Sequence, residues 1–238
     1  MVRPGARNLI TDVPGLRVGQ AEDKLARTGV TVVLPDEPAR AAVDMRGGAP
    51  GTRETDALDP MSLAGRIDAI VLSGGSAFGL DSATGVMAWL SEQGRGFELR
   101  ADLPRVPIVP AAILFDLASG GRFSPEVFPA LGRKAVATAA TEFLLGNAGA
   151  GYGALAGAYK GGTGSASAVI DDQVTVGALV AVNAAGSPLI PGTDVFWAFA
   201  LEQGGEFGGR RLGDGFKGVD LDLPGDGKGR LRPAANTT

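Results

Sequence analysis

The chain contains no histidine and no cysteine. Without histidine, the usual general base near neutral pH and the usual nitrogen ligand for zinc are both missing, so Ser-His-Asp, Cys-His and histidine-metal sites are excluded within this sequence. Without cysteine, neither a disulfide framework nor thiolate chemistry is available, which fits a cytoplasmic location. No run of about 18 apolar residues exists to span a bilayer. The opening stretch, "MVRPGARNLITDVPG", also lacks the apolar centre of a signal peptide. A soluble protein with no membrane partner is expected. An excess of positive charge is absent too: 22 Lys and Arg face 26 Asp and Glu, for a net charge of -4. The basic residues are scattered, so the clustered cations that neutralise phosphates are not there and no nucleic-acid partner is expected.

What is present is enough for one core. With 238 residues, 45% of them hydrophobic, the chain reads as a single domain. Glycine is abundant at 38 residues but without a collagen period, which predicts many tight turns and close backbone approaches.

The runs "GVTVVLP" (29–35) and "ARAAVDM" (39–45) read as two strands of a meander, followed by an ordered surface loop over 46–60. "IDAIVLSGG" (67–75) predicts a buried strand and a glycine turn, and apolar residues at Leu80, Ala83, Met87 and Leu90 predict a helix after it. "VPIVPAAILFDLA" (106–118) reads as a strand whose prolines suggest a sheet edge or an irregular approach, with a second helix at about 129–143. Alternation at Val174, Val176, Ala178, Val180 and Val182 marks a half-buried strand, so the segment 146–170 before it, rich in Gly, Ala and Ser, leads into the core. "TDVFWAFALEQGG" (193–205) reads as a helix capped by Thr193 or Asp194, and the sequence beyond it as an exposed tail.

Several short motifs carry chemistry, each beside a plainer reading. In "SGGSAFGLD", Ser76 fits neither a nucleophile elbow, since Phe78 stands where glycine is needed, nor a P-loop, since Leu80 and Asp81 follow Gly79. It reads either as a helix N-cap or as part of a set of free backbone N–H groups able to hold an oxyanion or carboxylate. "GAGYGA" (149–154) formally matches a dinucleotide fingerprint, but neither a clear strand before it nor an apolar-periodic helix after it supports that reading. Lys160 is isolated in "GAYKGGTGSAS" and is either a solvated surface residue or a cation projecting into a cleft. Asn183 is either a turn residue or an amide donor. Thr237 is of interest because a threonine freed at a chain terminus carries its own base, the α-amine, and a protein without histidine can hydrolyse amides that way.

Taken together and in order, "VDMRGGAPGTRETDALDP", "IDAIVLSGGSAFGLDSATGVMAWL", "VPAAILFDL", "GNAGAGYGALAGAYKGGTGSAS" and "VGALVAVNAAG" resemble the L-aminopeptidase/D-esterase family of N-terminal-nucleophile hydrolases. That family includes β-peptidyl aminopeptidases and endo-type 6-aminohexanoate-oligomer (nylon-oligomer) hydrolases. The resemblance implies a mixed α/β (α+β) fold, an αββα sandwich of two stacked sheets flanked by helices and completed by a separate β fragment. It implies a precursor that cuts itself at Asn236-Thr237, with residues 1–236 forming the single-domain α fragment and 237–238 the start of β.

By the same resemblance Thr237 is the nucleophile, Lys160 the lysine beside it and Asn183 part of the oxyanion hole, with Ser76 and Phe115 toward the substrate. Phe115 stands where the nylon-oligomer branch places a tyrosine, so a hydroxyl contact is missing there. The implied partners are the β fragment, a small peptide or amide substrate and further αβ units in a homo-oligomer; no cofactor is called for. An acyltransferase of the ornithine acetyltransferase type and an unprocessed binding protein are the alternatives.

Overall fold

The computed structural model describes residues 1–46 and 48–218. The elements are β1 (Val2–Pro4), β2 (Leu16–Asp23), β3 (Thr28–Pro35), β4 (Thr52–Arg53), β5 (Ile70–Ser73), α1 (Ser82–Glu92), β6 (Ala111–Ile113), α2 (Val127–Ala137), β7 (Leu155–Ala156), β8 (Tyr159–Lys160), β9 (Thr163–Ile170) and β10 (Val174–Ala181), joined by short 3-10 turns. They build a five-stranded sheet in the order β2-β3-β5-β6-β4, a three-stranded sheet in the order β1-β9-β10, and the small hairpin β7-β8. Every pairing is antiparallel except β5 with β6, which α1 connects as a crossover.

Strand β3 is interior to its sheet, between β2 and β5, and is buried on both faces. Val30, Val32 and Leu34 point to the helices and join Val71, Val86, Leu90, Leu131, Ala135 and Val136 in the main core. Each such valine or leucine side chain, fully buried, stabilises the fold by roughly 1.5–3 kcal/mol. The helix faces follow from spacing: Ala83, Val86 and Leu90 on α1, and Phe128, Leu131, Ala135 and Val136 on α2, are all buried.

The other face of β3 receives the 3-10 turn Gly149–Gly151. The Ala150 N–H donates to Thr31 Oγ1 at 2.9 Å. This turn and a second one, Ile10–Asp12, fill the space between the two stacked sheets. Ile10 donates its N–H to Ser165 Oγ of β9 at 2.8 Å and lies against Gly177 of β10. The layers are therefore helices, five-stranded sheet, interlayer turns and three-stranded sheet.

The sequence and structure part company in several places. The alternating valines of β10 do not face the core: Val176 is 52% exposed and Val180 42%, while the inward positions are Thr175, Gly177, Leu179 and Ala181. Small inward residues leave room for the interlayer turns. Across the register, Val174, Val176, Ala178 and Val180 stand opposite Ile170, Ala168, Ala166 and Gly164, so the outer face of this sheet is continuously apolar.

Residues 39–45 form no strand, and Ala39 makes only an isolated bridge to Ile67. The partner of β3 is instead β2, whose polar residues and glycine hide its period. The prolines at 107 and 110 do give an irregular approach to β6, but β6 is interior, with β4 as the edge. The stretch 193–205 holds only the 3-10 turn Trp197–Leu201. The second helix ends at Ala137, not near 143. Among the described residues, no helix is long and apolar enough to cross a membrane.

Candidate active site

The parallel pair β5-β6 delivers two chain ends side by side. After β5 the chain turns through Gly74 and Gly75; Gly75 sits at φ +82°, and a Cβ there would lie 2.0 Å from the Phe128 ring. Ser76 follows at φ +54°, left-handed backbone that costs about 1–3 kcal/mol for a residue with a side chain.

The structure corrects the capping reading of Ser76. Gly75 occupies the cap position of the 3-10 turn Ser76–Asp81, and no side-chain capping bond is made. Two N–H groups at the start of the turn are engaged: Gly75 donates to Asp116 Oδ1 at 2.6 Å and Ser76 to the Leu114 carbonyl at 3.0 Å. The helix proper begins six residues later, at Ser82.

Beyond β6, Leu114 donates its N–H to Ser73 O at 2.9 Å, which ties the two chain ends together. Phe115 donates its N–H to Asn183 Oδ1 at 3.0 Å. Asn183 is 2% exposed and follows β10 by two residues. A backbone N–H can bond only the carbonyl end of a carboxamide, so this contact fixes which way the Asn183 amide faces. Its Nδ2 is the donor end, turned away from Phe115. Asn183 is therefore more than a turn residue.

Under these residues lies a second buried cluster, Leu114, Ala150, Ala154 and Ala181, with Leu72 packed on it. It places the Lys160 hairpin. Ala154 leads into β7, where Leu155 pairs with Lys160 of β8, and Gly161 donates its N–H back to the Ala154 carbonyl at 2.6 Å. At the turn of this hairpin a Cβ on Gly157 would lie 2.8 Å from the Gly186 carbonyl, in the loop that follows Asn183. Lys160 is exposed, with no ion pair among the described residues.

Ser76, Phe115, Asn183 and the Lys160 hairpin thus converge on Leu114. Asn236 and Thr237 lie outside the described residues. The arrangement offers an oriented carboxamide and, on a neighbouring hairpin, an exposed lysine; groups of these two types can stabilise an oxygen acquiring negative charge.

Motif reading missed Asp116 and Thr28. Asp116 is 3% exposed and accepts the Thr28 hydroxyl at 2.6 Å. Its sequence signal was an acid closing an apolar run, "ILFD". The dinucleotide reading fails, because "GAGYGA" forms a buried 3-10 turn that opens no α-helix. Asp171 and Asp172 are the left-handed turn of the β9-β10 hairpin, paired with the N-terminal ammonium and with Arg3. Among the described residues no group of three or more acidic side chains could hold a metal ion.

Comparison with known proteins identifies related chains. The model of peptidase family S58 matches residues 8–211. An uncharacterized aminopeptidase of Mycobacterium tuberculosis (strain ATCC 25618 / H37Rv) is 48% identical over 208 residues, which cover 84% of this chain and 59% of that protein. A 6-aminohexanoate-oligomer endohydrolase of Kocuria sp. (strain KY2) is 38% identical over 159 residues, 64% of this chain and 40% of that one.

Among solved structures, the L-aminopeptidase D-Ala-esterase/amidase from Ochrobactrum anthropi, described as a variant of the Ntn hydrolase fold, superposes with a TM-score of 0.62 at 25% identity, covering 78% of this chain and 55% of that chain. A Burkholderia sp. beta-aminopeptidase gives 0.60 at 29% identity, covering 80% and 56%. The chain spans about 59% of the length of the mycobacterial relative it matches.

Proposed function

The chain belongs to peptidase family S58, and from that premise we propose that it forms the larger part of a self-processing amide-bond hydrolase acting on small peptides, amino-acid amides or nylon-like oligomers. One observation supports this reading above the others: the Asn183 carboxamide is buried and its carbonyl end is held by the Phe115 N–H, so its donor end is already oriented before any substrate arrives. Such preorganised donors are worth about 2.7–4 kcal/mol to an acyl-transfer barrier.

In the proposed reaction the Thr237 hydroxyl attacks the substrate carbonyl and its proton passes to the α-amine. Asn183 Nδ2 donates to the oxyanion, the amine leaving group takes the proton, and water then hydrolyses the acyl-threonine ester. Self-cleavage uses the same hydroxyl on the Asn236 carbonyl, an N-to-O acyl shift followed by hydrolysis of the ester. Before the cut the Thr237 nitrogen is an amide and cannot act as base; either the Lys160 amine, in its uncharged form, or a downstream acidic residue takes that part. Phe115, half-buried and without a hydroxyl, presents an apolar edge to the substrate.

The partner is the remainder of the precursor. The apolar outer face of the three-stranded sheet supports this, since helices already cover the five-stranded sheet and a fourth layer would complete an αββα sandwich. Assembly into a homo-oligomer of such units and a cytoplasmic location belong to the same proposal.

Intact mass and N-terminal sequencing of the expressed full-length precursor test the reading. Two fragments, the second beginning at Thr237, are expected; a single uncut chain overturns it.

A further inference from the structure

Asp116 is a buried carboxylate that the chemistry above leaves unused. One oxygen, Oδ2, accepts the Thr28 hydroxyl at 2.6 Å, and the other, Oδ1, accepts the Gly75 N–H at 2.6 Å. The backbone is moulded around it. A Cβ on Gly74 would lie 1.9 Å from Oδ2, and one on Gly153 2.6 Å from it. An ionised carboxylate accepts at both oxygens, whereas an amide of the same shape would turn an NH2 toward one of these donors. Charge-assisted bonds of this kind are short and strong.

These bonds join three places in the fold: the start of β3 through Thr28, the turn after β5 through Gly75, and the segment after β6 that carries Asp116 itself. The residue before Asp116 is Phe115, whose N–H holds Asn183 Oδ1. We propose that Asp116 is a positioning residue, whose carboxylate locks the segment 114–116 and thereby aims the Asn183 carboxamide at the reacting carbonyl. This rests on the reading of Asn183 as oxyanion donor. The physical reason is that such a donor works only if its place is set in advance, and a misplacement of about 1 Å costs on the order of 100-fold in rate.

The test uses the 15N-labelled full-length protein as wild type, Asp116→Asn, Asn183→Ala and the double variant, with backbone hydrogen exchange and steady-state amide hydrolysis as readouts. Asp116→Asn should speed exchange at Phe115 and Gly75 by about tenfold or more while leaving Val30 and Val32 within about twofold. It should lower kcat by roughly 10- to 100-fold with KM within about twofold, and change kcat by less than about twofold once Asn183 is alanine.

Unchanged exchange at Phe115, an equal rise at Val32, or a full multiplicative loss in the Asn183→Ala background would each overturn the proposal. Should Asp116→Asn not fold, Thr28→Val removes one donor and is expected to give the same pattern at smaller size. A wild type without amide turnover sinks the functional reading and the aiming role with it. Failure of the exchange result alone sinks Asp116 and leaves that reading standing.

Discussion

Asn183 shows how much one side chain can carry. Its carboxamide is buried at 2% exposure, and the Phe115 N–H occupies its carbonyl end. Truncation to alanine removes the donor and leaves that N–H unsatisfied, so Asn183→Ala should lower kcat by about 100- to 1000-fold with little change in KM, read from initial rates of amide hydrolysis. Asp12 carries stability instead. Burial by itself would raise its pKa, but the Ser167 hydroxyl, the N–H groups of Arg7 and Leu9 and the Arg7 charge outweigh that and hold the carboxyl below the ordinary range. A depressed folded pKa means stability that is present above the unfolded value, about 3.9, and lost as pH falls through the folded one. Denaturant melts should therefore show Asp12→Asn less stable than wild type at pH 7, with the gap narrowing toward pH 3. A gap that stays constant with pH would contradict this account.

At the scale of elements, the two helices meet through glycine. A Cβ on Gly85 of α1 would lie 1.8 Å from the Pro129 carbonyl, and one on Gly132 of α2 would lie 2.0 Å from the Ser82 carbonyl. Helix propensity favours alanine over glycine by about 1 kcal/mol, yet overpacking a close contact costs about 1–3 kcal/mol, and here the clash is with backbone that cannot rotate away. Gly132→Ala is thus expected to lower thermal stability in spite of its better propensity, and calorimetry of the variant checks it. The helices were legible in the sequence because Ala83 and Leu90 repeat at helical spacing and both are buried. Strand β2 was not, since its sequence "LRVGQAED" shows no clean alternation; β3 and α2 decide its place from outside. Gly19 is there for α2, whose Ala135 carbonyl would lie 1.8 Å from a Cβ at that position.

For the whole molecule the outstanding feature is the bare outer face of the three-stranded sheet, where Ile170, Val174, Val176 and Val180 are all more than a third exposed. A contiguous apolar face of this kind marks an interface. When residues 1–236 are co-expressed with the following segment of the precursor as a separate polypeptide, the two are expected to co-purify. Val176→Asp with Val180→Asp should abolish that, because two carboxylates would have to be desolvated at the contact. Retained co-purification by the double variant would place the partner elsewhere. The candidate site lies beyond the carboxyl ends of the parallel pair β5-β6.

Composition by itself showed that this chain supplies neither histidine nor a thiolate, and ordered motifs pointed to the family, since each depends only on which residues are present and in what order. Helical period marked α1, and a short apolar run marked β3, for the same reason. Which face of β10 is buried could not be read locally, because alternation states that two faces differ without saying which neighbour covers either one. Tertiary packing also decided that Ser73 and Leu114, 41 residues apart, share a hydrogen bond, that Asn183 closes on Phe115, and that Asp116 reaches Thr28 and Gly75. Those contacts join segments far apart in the chain, and only the sheet register brings them within reach.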